Sequence, residues 1–115
     1  MKLVFLIALL VTSFVKTQDK VLVLDSSNFT EAINSHFTLM VEFYAPWCTH
    51  CKTLAPEYSQ AALIVGYYDP PYYMAKVDAT VEKELAEKYG VKETPTIIFF
   101  KGGQMHKYTG GVTAA

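Results

Sequence analysis

Tyr44-Ala45-Pro46-Trp47-Cys48-Thr49-His50-Cys51-Lys52 is the stretch that decides the reading of this chain. It holds both cysteines of the sequence, two residues apart. Upstream, Leu39-Met40-Val41-Glu42-Phe43-Tyr44 is near-continuous apolar sequence, the pattern of a strand buried on both faces of a sheet. Downstream, a helical pattern runs from about Cys48 to Val65. Pro56 lies inside it, where a proline removes one helical hydrogen bond and is expected to kink the helix. A strand that delivers Cys-x-x-Cys to a helix start makes a reactive dithiol. Cysteines one turn apart can close a small disulfide ring, and the first sits where unpaired N–H groups and the helix dipole favour a thiolate.

Working outward, Val21-Leu22-Val23-Leu24 reads as a short strand ended by Asp25-Ser26-Ser27. Asn28-Phe29-Thr30-Glu31 reads as a helix cap with its acidic partner three residues on, opening a helix to about Ser35. Asn28-Phe29-Thr30 is also an N-glycosylation sequon, and an asparagine occupied in capping is the poorer acceptor. Gly66 and Asp69-Pro70-Pro71 mark a turn, Tyr72 to Val77 a strand, and Val81 to Tyr89 a helix stopped at Gly90. Thr96 to Phe100 is a strand, Gly102-Gly103 a hairpin turn, and Met105 to Tyr108 the returning strand. The order is βαβαβαββ, with no repeat, low-complexity tract or second domain.

Composition narrows the function classes. A chain of 115 residues, 51% hydrophobic and 14% aromatic, is one domain with a real core. The formal charge of −1 argues against a nucleic-acid surface. All ten basic residues are lysines, so bidentate arginine clamps on phosphate are absent and a nucleotide site is disfavoured. Residues 1–17 read as a cleaved signal peptide: Lys2 is the basic n-region, and Leu3 to Val11 is an apolar run too short to span a bilayer. A signal anchor is the competing reading. Cleavage after Thr17 would leave eight lysines against eleven acidic residues, no membrane segment, and a mature domain over 18–115 in an oxidising compartment.

Several blocks together resemble a catalytic domain of protein disulfide isomerase. They are Val41-Glu42-Phe43-Tyr44-Ala45-Pro46-Trp47-Cys48 with His50-Cys51-Lys52, Leu54-Ala55-Pro56-Glu57-Tyr58, and Ala75-Lys76-Val77-Asp78-Ala79-Thr80. Tyr89-Gly90-Val91 and Thr94-Pro95-Thr96 before Ile97-Ile98-Phe99-Phe100 complete the set. The match covers about residues 20–111 in family order. It implies an α/β thioredoxin fold, a mixed central sheet with helices on both faces. Three departures stand out. Thr49 replaces the usual glycine of Cys-Gly-His-Cys, and Val112 falls where the family often has arginine. The family's C-terminal helix is lacking, so the domain reads as C-terminally truncated, with Phe99 and Phe100 expected to border a bare sheet face. No Lys-Asp-Glu-Leu-type signal ends the sequence as written, so endoplasmic-reticulum retention and secretion both stay open.

The resemblance implies thiol–disulfide oxidation and isomerisation of unfolded or misbridged polypeptides, without metal or organic cofactor. Recycling by an oxidase or glutathione and a monomer, self-associating if the last helix is absent, complete that expectation. Cys48 is the expected attacking thiolate and Cys51 the resolving thiol. An inert disulfide is the bland alternative. A zinc site lacks a fourth ligand beside Cys48, Cys51 and His50, and Lys52 after Cys51 excludes a haem-attachment motif. His50 is expected to stabilise the Cys48 thiolate and so make the disulfide more oxidising, or else to be a solvated helix-end histidine. Glu42, a carboxylate in a buried strand, pairs in this reading with Lys76 and accepts the proton of Cys51; a structural ion pair is the alternative. The family pattern makes Thr94–Pro95 a cis bond facing the dithiol, with the Thr94 backbone pairing to substrate. Trp47 is either a substrate contact or a packing residue. A thioredoxin-like reductase and a truncated, non-catalytic peptide-binding module are the competing functions.

Overall fold

The computed structural model describes residues 19–107. The expected signal peptide over 1–17, Tyr108 at the end of the returning strand, and Val112 lie outside them. The elements are β1 (Leu22–Leu24), α1 (Phe29–Ser35), β2 (Thr38–Tyr44), α2 (Thr49–Gly66), β3 (Tyr73–Asp78), α3 (Lys83–Lys88), β4 (Thr96–Lys101) and β5 (Gln104–Lys107). They form a five-stranded sheet in the order β1-β3-β2-β4-β5. β1 and β2 run parallel to β3, whereas β4 is antiparallel to β2 and β5 returns beside β4. Gly102 and Gly103 supply the positive φ values, 58° and 82°, that the two-residue β4–β5 hairpin needs.

The strand period of two divides the apolar run of β2 between two cores. Leu39, Val41 and Phe43 point to one face, where they join Ala75, Val77, Ile98 and Phe100 beneath Phe29 and Ala32 of α1 and Ala86 of α3. Aromatic rings dominate that side: Phe29 meets Phe43, Tyr89 and Phe100 with centroids 6.4, 5.2 and 6.0 Å apart. The opposite face packs Met74, Ile97 and Met40 against Leu54, Tyr58 and Ala62 of α2. Helices therefore cover both faces, as the sequence blocks imply. One expectation needs correction: Phe100 is buried under the α1 and α3 side, and only its neighbour Phe99, half-buried, lies on the α2 side.

Two other local readings change. Asn28 holds the N-cap position of α1 without capping it. Its carboxamide turns back instead, Oδ1 accepting from the Asp25 N–H (2.8 Å) and Nδ2 donating to the Val23 carbonyl (3.3 Å). Asp25 explains the choice, since its carboxylate takes the Ser27 hydroxyl and the Ser27 and Asn28 N–H groups, an Asx turn that positions Asn28 toward β1. Those bonds hold the Asp25 carboxyl below its ordinary value. α3 starts later than Val81, because Val81 and Glu82 N–H groups are tied to the Asp78 carbonyl in a turn whose Asp78 carboxylate also holds Thr80. Its end is as expected: Gly90 at φ 70° donates to the Glu87 carbonyl and Val91 to that of Ala86, a Schellman closure.

Candidate active site

β2 ends at Tyr44, and the Ala45-Pro46-Trp47 turn carries the chain onto α2, with the Cys48 N–H donating to the Ala45 carbonyl (3.1 Å). Cys48 is the N-cap residue, extended at φ −77°, ψ 117°. Its Sγ accepts the Cys51 N–H at 3.2 Å, one of the helix-start donors that would otherwise lack a partner. Cys51 lies one turn into α2 and is joined to Cys48 as a disulfide, with the Cα atoms 5.2 Å apart. Cys48, the expected attacking residue, is barely more exposed than Cys51 in this oxidised form, at 7% against 5%.

One segment remote in sequence, residues 93–96, lies beside the disulfide. The Thr94–Pro95 bond is cis, as the resemblance implies, and the Thr94 carbonyl lies 3.5 Å from Cys48 Sγ. Thr96, which the sequence reading passed over, is buried and donates its hydroxyl to the Glu93 carbonyl, pinning the loop that presents Thr94. Its place after Pro95, at the start of a buried strand, was the signal. Trp47 is 73% exposed, so it is not a packing residue. It borders an open groove of about 450 Å³ shared with Thr80, Val91 and Thr94. Thr49 and His50 are exposed on the first turn of α2.

Glu42 stands on the α2-facing side of β2, under the buried stripe Cys51, Leu54, Tyr58 and Ala62. It is 3% exposed and its Oε2 has no hydrogen-bond partner. Burial pushes its carboxyl up to about 7, with the Lys76 ammonium pulling the other way. β2 and β3 place Glu42 directly beside Lys76 in the ladder, yet the expected close ion pair is not made. The long Lys76 side chain carries its Nζ over the Tyr44 ring instead, 5.7 Å from the centroid, and is only half-buried. A residue the sequence reading missed, Tyr58, closes this layer. Its hydroxyl lies 2.7 Å from the Ala75 carbonyl and 3.1 Å from that of Met40, and burial followed by the Glu42 charge drives its titration far above the ordinary tyrosine value. The signal was spacing: Tyr58 follows Cys51 by seven residues, on the same helical face.

A helix-start disulfide, a Thr-cis-Pro loop beside it and a buried acid beneath it form one connected arrangement. The family model described as Thioredoxin matches residues 20–115. The chain belongs to the thioredoxin family. Among curated relatives of this thioredoxin domain, it is 46% identical over 112 residues to protein disulfide-isomerase 1 of Caenorhabditis elegans, covering 97% of this chain and 23% of that protein. It is 54% identical over 97 residues to protein disulfide-isomerase of Oryctolagus cuniculus, covering 82% of this chain and 19% of that one. The solution structure of the first thioredoxin domain of mouse protein disulfide-isomerase A4 superposes with a TM-score of 0.78 at 43% identity, covering 86% of this chain and 71% of that one. The chain thus spans about a fifth of the length of these curated relatives.

Proposed function

We propose that this chain is a thiol–disulfide oxidoreductase that forms and isomerises disulfides in polypeptides of the secretory pathway. The carrying observation is the Cys48–Cys51 disulfide at the start of α2, with Cys48 Sγ turned to the Thr94 carbonyl. Relatives named protein disulfide-isomerase, at about half identity, support the same reading.

In this proposal a thiolate of an unfolded polypeptide attacks Cys48 Sγ. The Cys48–Cys51 bond breaks and Cys51 leaves as a thiolate, protonated by Glu42. A second substrate thiolate then attacks the substrate sulfur of the mixed disulfide and expels Cys48. Two substrate thiols have been oxidised and the domain's disulfide reduced, to be restored by an oxidase or by glutathione disulfide. In isomerisation the reduced Cys48 thiolate opens a wrong bridge, and either a substrate thiol or Cys51, deprotonated by Glu42, releases the product. A carboxyl poised near neutrality can exchange a proton in both directions. His50 favours the Cys48 thiolate, Lys76 moderates the charge on Glu42, and Trp47 with the Thr94–Pro95 segment receives the substrate chain. A domain over 18–115, released by removal of 1–17 into the endoplasmic reticulum, is the setting for this chemistry.

Reactivation of a scrambled disulfide-bonded protein tests the activity. Cys48→Ser is expected to abolish it and Cys51→Ser to accumulate mixed disulfides; full activity in Cys48→Ser would refute the proposal. Import into microsomes tests the location, with loss of the leader and protection from added protease as the expected result.

A further inference from the structure

The sequon Asn28-Phe29-Thr30 is a motif that the redox chemistry leaves unused. We propose that Asn28 is an N-glycosylation acceptor only while the chain is unfolded, so that its occupancy records whether folding or modification came first. The reaction joins a sugar C1 to Asn28 Nδ2. The bond from C1 to the pyrophosphate of a lipid-linked oligosaccharide breaks, Nδ2 loses a proton, and no redox change occurs.

Three features of the fold withhold the acceptor. Both ends of the Asn28 carboxamide are engaged, Nδ2 at the Val23 carbonyl and Oδ1 at the Asp25 N–H. The reacting nitrogen is therefore held against the backbone of β1. The residues after it are helical: Phe29 and Thr30 open α1, and the Asn28 carbonyl already accepts from the Ala32 N–H at 3.0 Å. The middle residue, Phe29, is 1% exposed and lies among Phe43, Tyr89 and Phe100. A transferase that draws residues 28–30 into its own cleft must unwind the first turn of α1 and extract a fully buried ring from the core. Such an opening is a sub-global unfolding event rather than a loop fluctuation. No part of that obstacle exists in a nascent chain, where the asparagine, a non-proline middle residue and the threonine satisfy the motif.

Whether the chain meets such an enzyme in the cell depends on the secretory placement proposed above; the chemical test does not. Solubilised oligosaccharyltransferase with its lipid-linked donor is given two acceptors. One is the purified, folded full chain, and the other is the tryptic fragment Val21–Lys52, which contains the sequon and no internal lysine or arginine. The fragment is expected to be glycosylated, with Thr30→Ala abolishing its reaction. The folded chain is expected to react at least about tenfold more slowly, since it must open first. Phe29→Leu, which keeps the sequon but loosens the core, should react faster than the parent chain. A folded chain that reacts as fast as the fragment, or a fragment that does not react, overturns the proposal.

Discussion

The two faces of the sheet share the same strands and differ in kind. Under α1 and α3, the side chains contributed by β2 are Leu39, Val41 and Phe43, fully enclosed among other apolar groups. Under α2, the alternate residues are Met40, Glu42 and Tyr44, and the covering helix adds Cys51 and Tyr58 to its apolar stripe. One face is close-packed hydrocarbon, the other holds a buried acid without a partner for one oxygen. The contrast separates two duties within a single strand: odd positions hold the domain together, whereas Glu42 and Tyr44 among the even ones carry ionisable groups toward the sulfur chemistry, at a cost in stability.

The largest expected effect lies on the hydrocarbon face. Phe43→Ala removes a ring with no exposed surface and is expected to cost about 3–5 kcal/mol in denaturant unfolding, without altering the redox potential of the molecules that stay folded. An altered potential would break the division between the faces.

Glu42→Gln should act in the opposite sense. In the unfolded chain Glu42 ionises near 4.5, in the folded domain near 7, so the folded state binds the proton more tightly. Stability is then fully present below about 4.5, declines as pH rises and reaches its full deficit above about 7. The glutamine variant lacks this slope. Melts across pH 4–8 are expected to show it more stable than the parent at high pH by about 1–3 kcal/mol, a range lowered for partial solvent screening. Its release of mixed disulfides should slow. A variant less stable than the parent at pH 8 would show that the carboxylate holds the face together instead of straining it.

His50→Pro sharpens the comparison at the surface, where packing is not involved. Equilibration with glutathione is expected to show a potential lower by tens of millivolts, about 1–3 kcal/mol for a two-electron couple. An unchanged potential would make His50 a solvated helix-end residue. Smallest of all, Tyr58→Phe deletes a buried hydroxyl from the Ala75 and Met40 carbonyls and should cost about 0.5–1.5 kcal/mol by chemical denaturation. A larger loss would assign the polar groups of this face a structural duty of their own.

The sequence announced most of this arrangement, because its signals are local. The apolar run 39–44, the cysteine spacing, Gly90 and Gly102-Gly103 each act through their own backbone, and the elements formed where those residues put them. What escaped was competition between side chains for one partner. Asn28 had two sets of backbone groups within reach, and the Asp25 turn decided for β1. Lys76 sits beside Glu42 in register, but four methylenes let its ammonium choose the Tyr44 ring and solvent. Phe99 and Phe100 read alike in a run of apolar residues, and only pairing with β2 assigns them to opposite faces. Tyr58 required knowing which helix face meets the sheet.

Cys48 Sγ is at once an atom of the disulfide and the acceptor for the Cys51 N–H at the helix start. Electron count and folding free energy are therefore linked around a closed cycle. Reduction converts that sulfur into a thiol or thiolate, and whatever the helix start contributes to the charged form appears equally in the redox equilibrium and in the unfolding equilibrium. The difference in unfolding free energy between the reduced and oxidised domain must equal, for this two-electron couple, twice the Faraday constant times the difference between the domain's potential and that of the same two thiols in the unfolded chain. Two melting curves, one with and one without the disulfide, thus measure how oxidising the site is without any substrate present.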